Sequence, residues 1–184
     1  IRNAPQIFGT LNQAFPPRID NYLFGPVVRI GWGTPPLLTM DLALILEIGK
    51  RRRLIILGRV SAIMPSEKHD LIRLQMNALG VIDFDQSSIS LDAVLFDSRL
   101  AGKFPITGSM ALRLNWGSAP IFALSIGGFH PAFKPPANFP VLQRLAISFS
   151  NTSDFKLWSE SYFAITSNTL QFGAKLELFA KAGG

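Results

Sequence analysis

The chain has 184 residues, with 18 Lys and Arg against 12 Asp and Glu, a net charge of +6 and a hydrophobic content of 48%. A chain of this length and content can bury a real core, which excludes wholesale disorder. It has no cysteine, which excludes disulfides and thiolate metal sites, while the positive charge biases association toward acidic partners.

The first 26 residues are rich in proline, glycine and aromatic residues and have no sustained period. We predict an extended lead-in over residues 1–26, with a short helix over 7–14 as the alternative, ended by Pro16 and Pro17. The aromatic side chains expected to plug an edge of the following domain are Phe8, Phe15, Tyr22 and Phe24.

From Val27 onward the chain reads as one strand after another. Residues 38–48 alternate Met40, Leu42, Leu44, Leu46 and Ile48 with the acidic Asp41 and Glu47. A period of two predicts a strand with one apolar face. The same alternation recurs at 54–64 and 72–84, on either side of the turn "PSEKHD".

The second half repeats this pattern. The stretch "KFPITGSMALRLNW", residues 103–116, places Phe104, Met110, Leu112, Leu114 and Trp116 on one side and mostly polar residues on the other. Residues 170–178 do the same with Phe172 and Leu176. The proline-rich segment "HPAFKPPANFP" cannot continue a central strand, because proline lacks a ladder donor, and it predicts a loop or a lid over one end.

Nine or ten strands joined by short turns predict an all-β fold, an antiparallel meander curled into a barrel, sandwich or groove with an apolar interior. Residues 27–184 are expected to form one domain. The beginning at Ile1 and the end in "LELFAKAGG" suggest a fragment of a longer protein.

A one-sided sheet must bury its apolar face, and three solutions stay open. The sheet can pack on itself, it can curl around an apolar ligand such as an acyl chain, or it can face lipid as a piece of a membrane β-barrel. Plain core packing, with methionine filling gaps, is the rival explanation for the same residues.

Motifs for chemistry are missing from the sequence. The turn "GWGTPP" is followed by no helix, so it does not predict a nucleotide site, and His69 with Asp70 has no assignable nucleophile partner. We therefore predict no enzyme, no cofactor and no metal. The one compact charge cluster is Lys50, Arg51, Arg52 and Arg53, at a hairpin tip where cations could contact phosphate or simply prevent strand aggregation. Nucleic acid is not expected as a partner, since the aromatic residues mostly belong to the apolar set.

The runs "GSMALRLNWGSAPIFALSIGGFHPAF" and "SYFAITSNTLQFGAKLELFAKAGG" resemble segments of very large bacterial β-rich multidomain proteins of an uncharacterised family. The resemblance covers most of the chain from Val27 and carries no catalytic signature. It implies a module of a longer assembly and no functional residues.

We therefore expect a non-enzymatic scaffold or interaction module whose partner is the rest of a parent protein or assembly. The alternatives are a groove that binds lipid and a piece of a membrane β-barrel. The residues expected to form the apolar wall are Leu44, Leu46, Leu74, Met76, Phe104, Met110, Leu112, Leu114, Trp116, Phe172 and Leu176.

Overall fold

A computed structural model describes residues 13, 16, 19–66, 69–152 and 154–181 of the chain. The described part is built from twelve β-strands, which all belong to one antiparallel sheet. The strands are β1 (Tyr22–Phe24), β2 (Val27–Trp32), β3 (Leu38–Ile48), β4 (Arg53–Ser66), β5 (His69–Asp83), β6 (Ser88–Leu100), β7 (Phe104–Thr107), β8 (Ser109–Asn115), β9 (Ile121–Ile126), β10 (Leu145–Asn151), β11 (Phe155–Thr166) and β12 (Leu170–Ala180).

These twelve strands occupy nine lanes of the sheet, because three lanes each hold two short strands end to end. Strands β1 and β2 both pair with β3, while β7 and β8 both pair with β6. Strands β9 and β10 both pair with the side of β11 that faces away from β12. The pairings among β6, β7, β10, β11, β9 and β8 form a ring around the point where the β9–β10 connection leaves the sheet.

The lanes follow one another in chain order, from β1 and β2 at one edge to β12 at the other. The prediction of an all-β antiparallel meander is therefore confirmed. Strands β4 and β5 continue to Ser66 and from His69, into the predicted turn "PSEKHD". In the described residues β2 and β12 have a ladder neighbour on one side only, so the sheet keeps two free edges.

The most completely buried positions lie under the β9–β10 connection. We call residues 127–144, which form this connection, the cover. Beneath it is a floor of small residues on β8, β9 and β11, each with no accessible surface: Ala111, Ala123, Ser125 and Ala164. Small side chains let a loop approach the sheet closely, as the tight packing of protein interiors requires.

Aromatic rings fill the space between the cover and this floor. Phe129 is 8% exposed, and its ring centre lies 5.0 Å from that of Phe133 and 4.9 Å from that of Phe139. The chain leaves the sheet at Gly127, whose φ of 73° favours glycine and whose missing Cβ would stand 2.5 Å from the Ser161 carbonyl oxygen. The proline-rich loop is thus confirmed as a loop, but it covers a face of the sheet and not an end.

The end of the lead-in adds an edge strand. The Asn21 amide donates a hydrogen bond to the Glu47 carboxylate at 2.9 Å, and Arg53 donates to the other oxygen of the same carboxylate. The side chains of Tyr22 and Phe24 are 69% and 67% exposed, so β1 joins the sheet through its backbone and these rings plug nothing. Phe8 and Phe15 lie outside the described residues, as does the alternative helix over 7–14 apart from residue 13.

Candidate functional site

Ten of the eleven residues of the predicted apolar wall lie on the same face of the sheet, and the eleventh, Trp116, directly follows β8. Residues that stand directly opposite each other in neighbouring strands share a face, and the register joins Leu44 to Ile56 to Gly80 to Leu91 to Leu112 to Leu124. We call this side the apolar face and the other side the opposite face. The apolar-face side chains of β3, β4, β5, the first part of β6, and β8 are Leu38, Met40, Leu42, Leu44, Leu46, Ile48, Leu54, Ile56, Val60, Ala62, Met64, Ile72, Leu74, Met76, Ala78, Ile82, Ile89, Leu91, Ala93, Leu95, Met110, Leu112 and Leu114.

The wall is a broad surface and not one compact site. Leu44 on β3 and Leu176 on β12 are seven lanes apart, which is about 34 Å at the usual strand spacing. Leu74 and Met76 are half-buried near the middle, whereas Phe172 is 77% exposed at the edge. A ligand of ordinary size would therefore contact only part of the predicted set.

The apolar face is the more sheltered side of the central strands. On the opposite face of β4, β5 and β6, Leu57 is 46% exposed, Leu79 is 44% exposed and Val94 is 45% exposed. Apart from Met64 near the end of β4, which is 41% exposed, the apolar side chains that alternate with them on the same strands are half-buried or buried. This difference is what a sheet curled toward its apolar face produces, because side chains converge on the inner side.

The described part of the chain places no second layer over this face. None of the leucine, isoleucine and methionine side chains named above is fully buried, as expected for a face without a second layer. A hollow of about 90 Å³ opens where the lanes of β5, β6, β8, β9 and β10 meet, lined by Met76, Leu95, Met110, Ile126 and Leu145. The result is an uninterrupted apolar surface with a shallow depression near its centre.

Half of the predicted basic cluster is neutralised by acids. The Arg52 guanidinium donates to the Asp85 carboxylate at 2.8 Å, and the Arg52 backbone N–H donates to its other oxygen at 2.8 Å. These hydrogen bonds, the backbone one first, hold the pKa of Asp85 below its ordinary value. Arg53 pairs with Glu47, so the exposed Lys50 and Arg51 are the cations best placed for an external phosphate.

Glu47 is the one buried carboxylate at this end of the sheet, 7% exposed. Burial alone raises the pKa of this carboxyl, but hydrogen bonds from Asn21 and Arg53 outweigh it and leave the pKa below its ordinary value. The arrangement holds β1, β3 and β4 together and offers no proton donor at neutral pH.

The opposite face carries a cleft beside the cover that the sequence did not indicate. Its volume is about 470 Å³, and it lies between Leu57, Leu79 and Val94 on the strands and Pro140 and Val141 in the cover. It exists because the cover stops short of the central lanes. The only sequence signal was the apolar residues on a face expected to be polar.

A second cavity, about 330 Å³, gathers polar side chains at the other end of the cover. It is lined in part by His130, Arg144, Glu160, Tyr162 and Lys175. The Arg144 guanidinium stands 4.4 Å from the centre of the Tyr162 ring, and its N–H donates to the Gly127 carbonyl oxygen at 2.8 Å. The Arg144 and Tyr162 side chains are therefore held in structural contacts. Sequence reasoning missed this cavity because its lining comes from three separate segments, the cover, β11 and β12.

The acids around the β5–β6 turn do not form a catalytic pair. Asp83 accepts the Gln86 N–H at 2.8 Å, whereas Asp85, Asp92 and Asp97 each pair with a different arginine. Among the described residues, no group of three His, Asp or Glu side chains could hold a metal ion. No helix within the described ranges is long and apolar enough to cross a membrane.

Comparison with known proteins gives a family and no activity. The model of DUF6603, described as a family of unknown function, matches residues 1–184. No curated protein and no solved structure matches the chain significantly.

Proposed function

Because the chain belongs to the DUF6603 family, whose function is unknown, we propose a function from its geometry: a non-enzymatic binding module whose apolar face holds the acyl chains of lipid. The observation that carries the proposal is the apolar face itself. Over residues 38–48, 54–64, 72–82, 89–95 and 110–114 it carries no charged side chain, and the cover lies on the other side of the sheet.

The position of the cover is what leaves this face free. Three of its contacts are with side chains of the opposite face: Phe139 meets Arg113, His130 meets Tyr162, and the Gly128 carbonyl accepts the Ser125 hydroxyl. The proline-rich loop therefore covers the small-residue floor and does not cover the leucines and methionines. An apolar face of this extent on a soluble protein is rare without a partner.

The chemistry of the face suits a hydrocarbon better than a polar ligand. Leucine, isoleucine and methionine line it, and over residues 38–48, 54–64 and 72–82 no hydrogen-bonding side chain stands among them to orient a polar group. Burying methylenes contributes about 0.8 kcal/mol each, so an acyl chain with most of its length on the face gains enough to offset the cost of association. The exposed Lys50 and Arg51 lie at the end of β3, where they could meet an anionic head group.

The same proposal places the chain as one module of a longer β-rich protein of bacterial type. Its support is the resemblance of the phrases quoted above and the two free edges of the sheet. A neighbouring module covering the apolar face would be the competing occupant, and the experiment below separates the two.

The test uses two leucines of strand β5 that occupy different faces of the sheet. Leu74 is on the apolar face, and Leu79 is on the opposite face. Purified protein is titrated with a fluorescent palmitate analogue, and its own lipid content is read by native mass spectrometry and organic extraction. We expect Leu74→Lys to weaken binding at least about tenfold, because it puts an ammonium group among hydrocarbons, and Leu79→Lys to change it little.

A parallel sedimentation assay with phosphatidylcholine vesicles distinguishes free lipid from a membrane surface. Binding to vesicles without binding to the free analogue would indicate that the apolar face contacts a membrane surface and does not hold single lipid molecules. An unliganded wild-type protein that binds no analogue would overturn the proposal and leave an interaction module whose apolar face meets protein.

A further inference from the structure

Strand β12 forms a long free edge of the sheet. Its eleven residues pair with β11 on one side, and no described strand pairs with the other side. Leu170, Phe172, Leu176 and Leu178 are between 64% and 77% exposed there. A long apolar edge with unpaired backbone groups is a template for another strand unless something blocks it.

The register with β11 shows which backbone groups point outward. The Thr166 N–H donates to the Thr169 carbonyl, and the Lys181 N–H donates to the Asp154 carbonyl. Hydrogen-bonded pairs alternate along an antiparallel ladder, so the odd-numbered residues of β12 bond to β11. The even-numbered residues Ala174, Leu176 and Leu178 therefore direct their N–H and C=O groups away from the sheet.

We propose that this edge pairs antiparallel with β12 of a second copy of the chain, about a two-fold axis at Leu176. The charges on the edge select this register. An axis at Leu176 places Lys175 opposite Glu177 of the second copy, and Glu177 opposite Lys175 of the second copy. An axis at Lys175 or at Glu177 would instead place like charges directly opposite each other, which is unfavourable.

A two-fold axis normal to the sheet also keeps the apolar faces of both copies on the same side. Leu176 then meets Leu176 of the second copy, and Ala174 meets Leu178, in pairs that exchange their outward backbone hydrogen bonds. Within one chain Lys175 already contacts Glu177 and stands opposite Glu160, so both charges lie on the opposite face of this edge, where a second copy can meet them. Because Lys175 and Glu177 are two residues apart and of opposite sign, an antiparallel second copy of the strand places each one opposite a residue of opposite charge.

The first experiment is a sedimentation series over protein concentration with a charge reversal and its compensating double change. We expect wild type to form a closed dimer, and Lys175→Glu to raise its dissociation constant about tenfold, because two opposite-charge pairs become like-charge pairs. The double variant Lys175→Glu/Glu177→Lys should return to within a few-fold of wild type. Urea denaturation of each variant at low concentration controls for the loss of the pairing with Glu160. A wild type that stays monomeric, or a double variant no better than the single one, would overturn the proposal.

The register is tested separately with single cysteines, since the chain has none of its own. Leu176→Cys lies on the two-fold axis, whereas Leu170→Cys, of similar exposure, would lie about 40 Å from its counterpart. Under mild oxidation we expect a disulfide-linked dimer with the first and not with the second. Equal cross-linking of the two, or growth into larger polymers through the β2 edge, would refute the pairing.

Discussion

Enlarging Ala123 should lift the cover from the sheet. Ala123 has no accessible surface and stands opposite Arg113, whose guanidinium lies 5.7 Å from the centre of the Phe139 ring. Ala123→Leu adds three carbon atoms to a floor that is already filled. Because strands β8, β9 and β11 are held by their ladders, we expect the cover to give way and the sheet to stay in place.

The size of the effect follows from two terms. Inserting methylenes into a packed site costs about 1–3 kcal/mol. If the cover moves far enough to expose Phe129, which is 8% exposed, the loss of that burial alone is about 1.5–3 kcal/mol. Since displacement of the cover relieves the overpacking, the two terms are alternatives, and we expect a loss of about 2–3 kcal/mol in the free energy of unfolding.

Urea denaturation measures the loss, and limited chymotrypsin digestion after Phe133 in the cover measures the displacement. Ala119→Leu, in the exposed β8–β9 turn, is the matched control and should change the free energy by no more than about 0.5 kcal/mol. An Ala123→Leu protein with wild-type stability and wild-type cleavage after Phe133 would refute the packing of the cover on this floor.

Three further outcomes are expected. Glu47→Gln should destabilise the protein at neutral pH by about 1–2 kcal/mol, because the charged hydrogen bond from Arg53 is lost. The pKa of Glu47 in the folded state lies below its ordinary 4.5, so this stabilisation is present above pH 4.5 and disappears as the pH falls through the folded pKa. In urea denaturation the difference in unfolding free energy between variant and wild type should therefore narrow at low pH. A difference that does not change with pH would contradict this. Gly173→Ala should cost about 1–3 kcal/mol in the same assay, because the new Cβ would stand 2.4 Å from the Tyr162 ring; a neutral result would show that the ring moves freely. Met110→Ala should reduce the bound lipid and lower the free energy of unfolding by only about 1–2 kcal/mol, below the usual range for a buried methionine, because the side chain is half-buried beside an existing hollow. Unchanged lipid content with a larger loss of stability would show that Met110 is an ordinary core residue.

The assignment of side chains to faces could be predicted from the sequence because it is a local property. Successive residues of a strand point to opposite sides, so Leu44, Met76 and Leu112 had to share a face once their strands paired in register. Short turns then made neighbours in sequence neighbours in the sheet. The nine or ten strands predicted correspond to the nine lanes. The structure has twelve strands because three of these lanes are each divided into two shorter strands.

The breaks themselves were not predictable, because they depend on contacts between distant segments. Strands β9 and β10 share a lane only because both pair with β11, which follows them in the chain. The break in this lane is where the cover leaves the sheet. Proline content predicted a loop there, but no local pattern states which face a loop will cover.

The polar side of the sheet shows the same limit. Ala111, Ala123 and Ala164 could be noticed in the sequence as small residues where charged ones were expected, but only the cover above them gives those residues a role. Arg52 likewise has a structural role that its own segment did not indicate, because it pairs with Asp85 in the β5–β6 turn. The sequence by itself determined a one-sided antiparallel sheet, because alternation and short turns act over a few residues. Only the tertiary structure decided that, in the described part of the chain, no segment covers the apolar side while the cover lies on part of the other side, because that choice depends on packing between segments far apart in the chain.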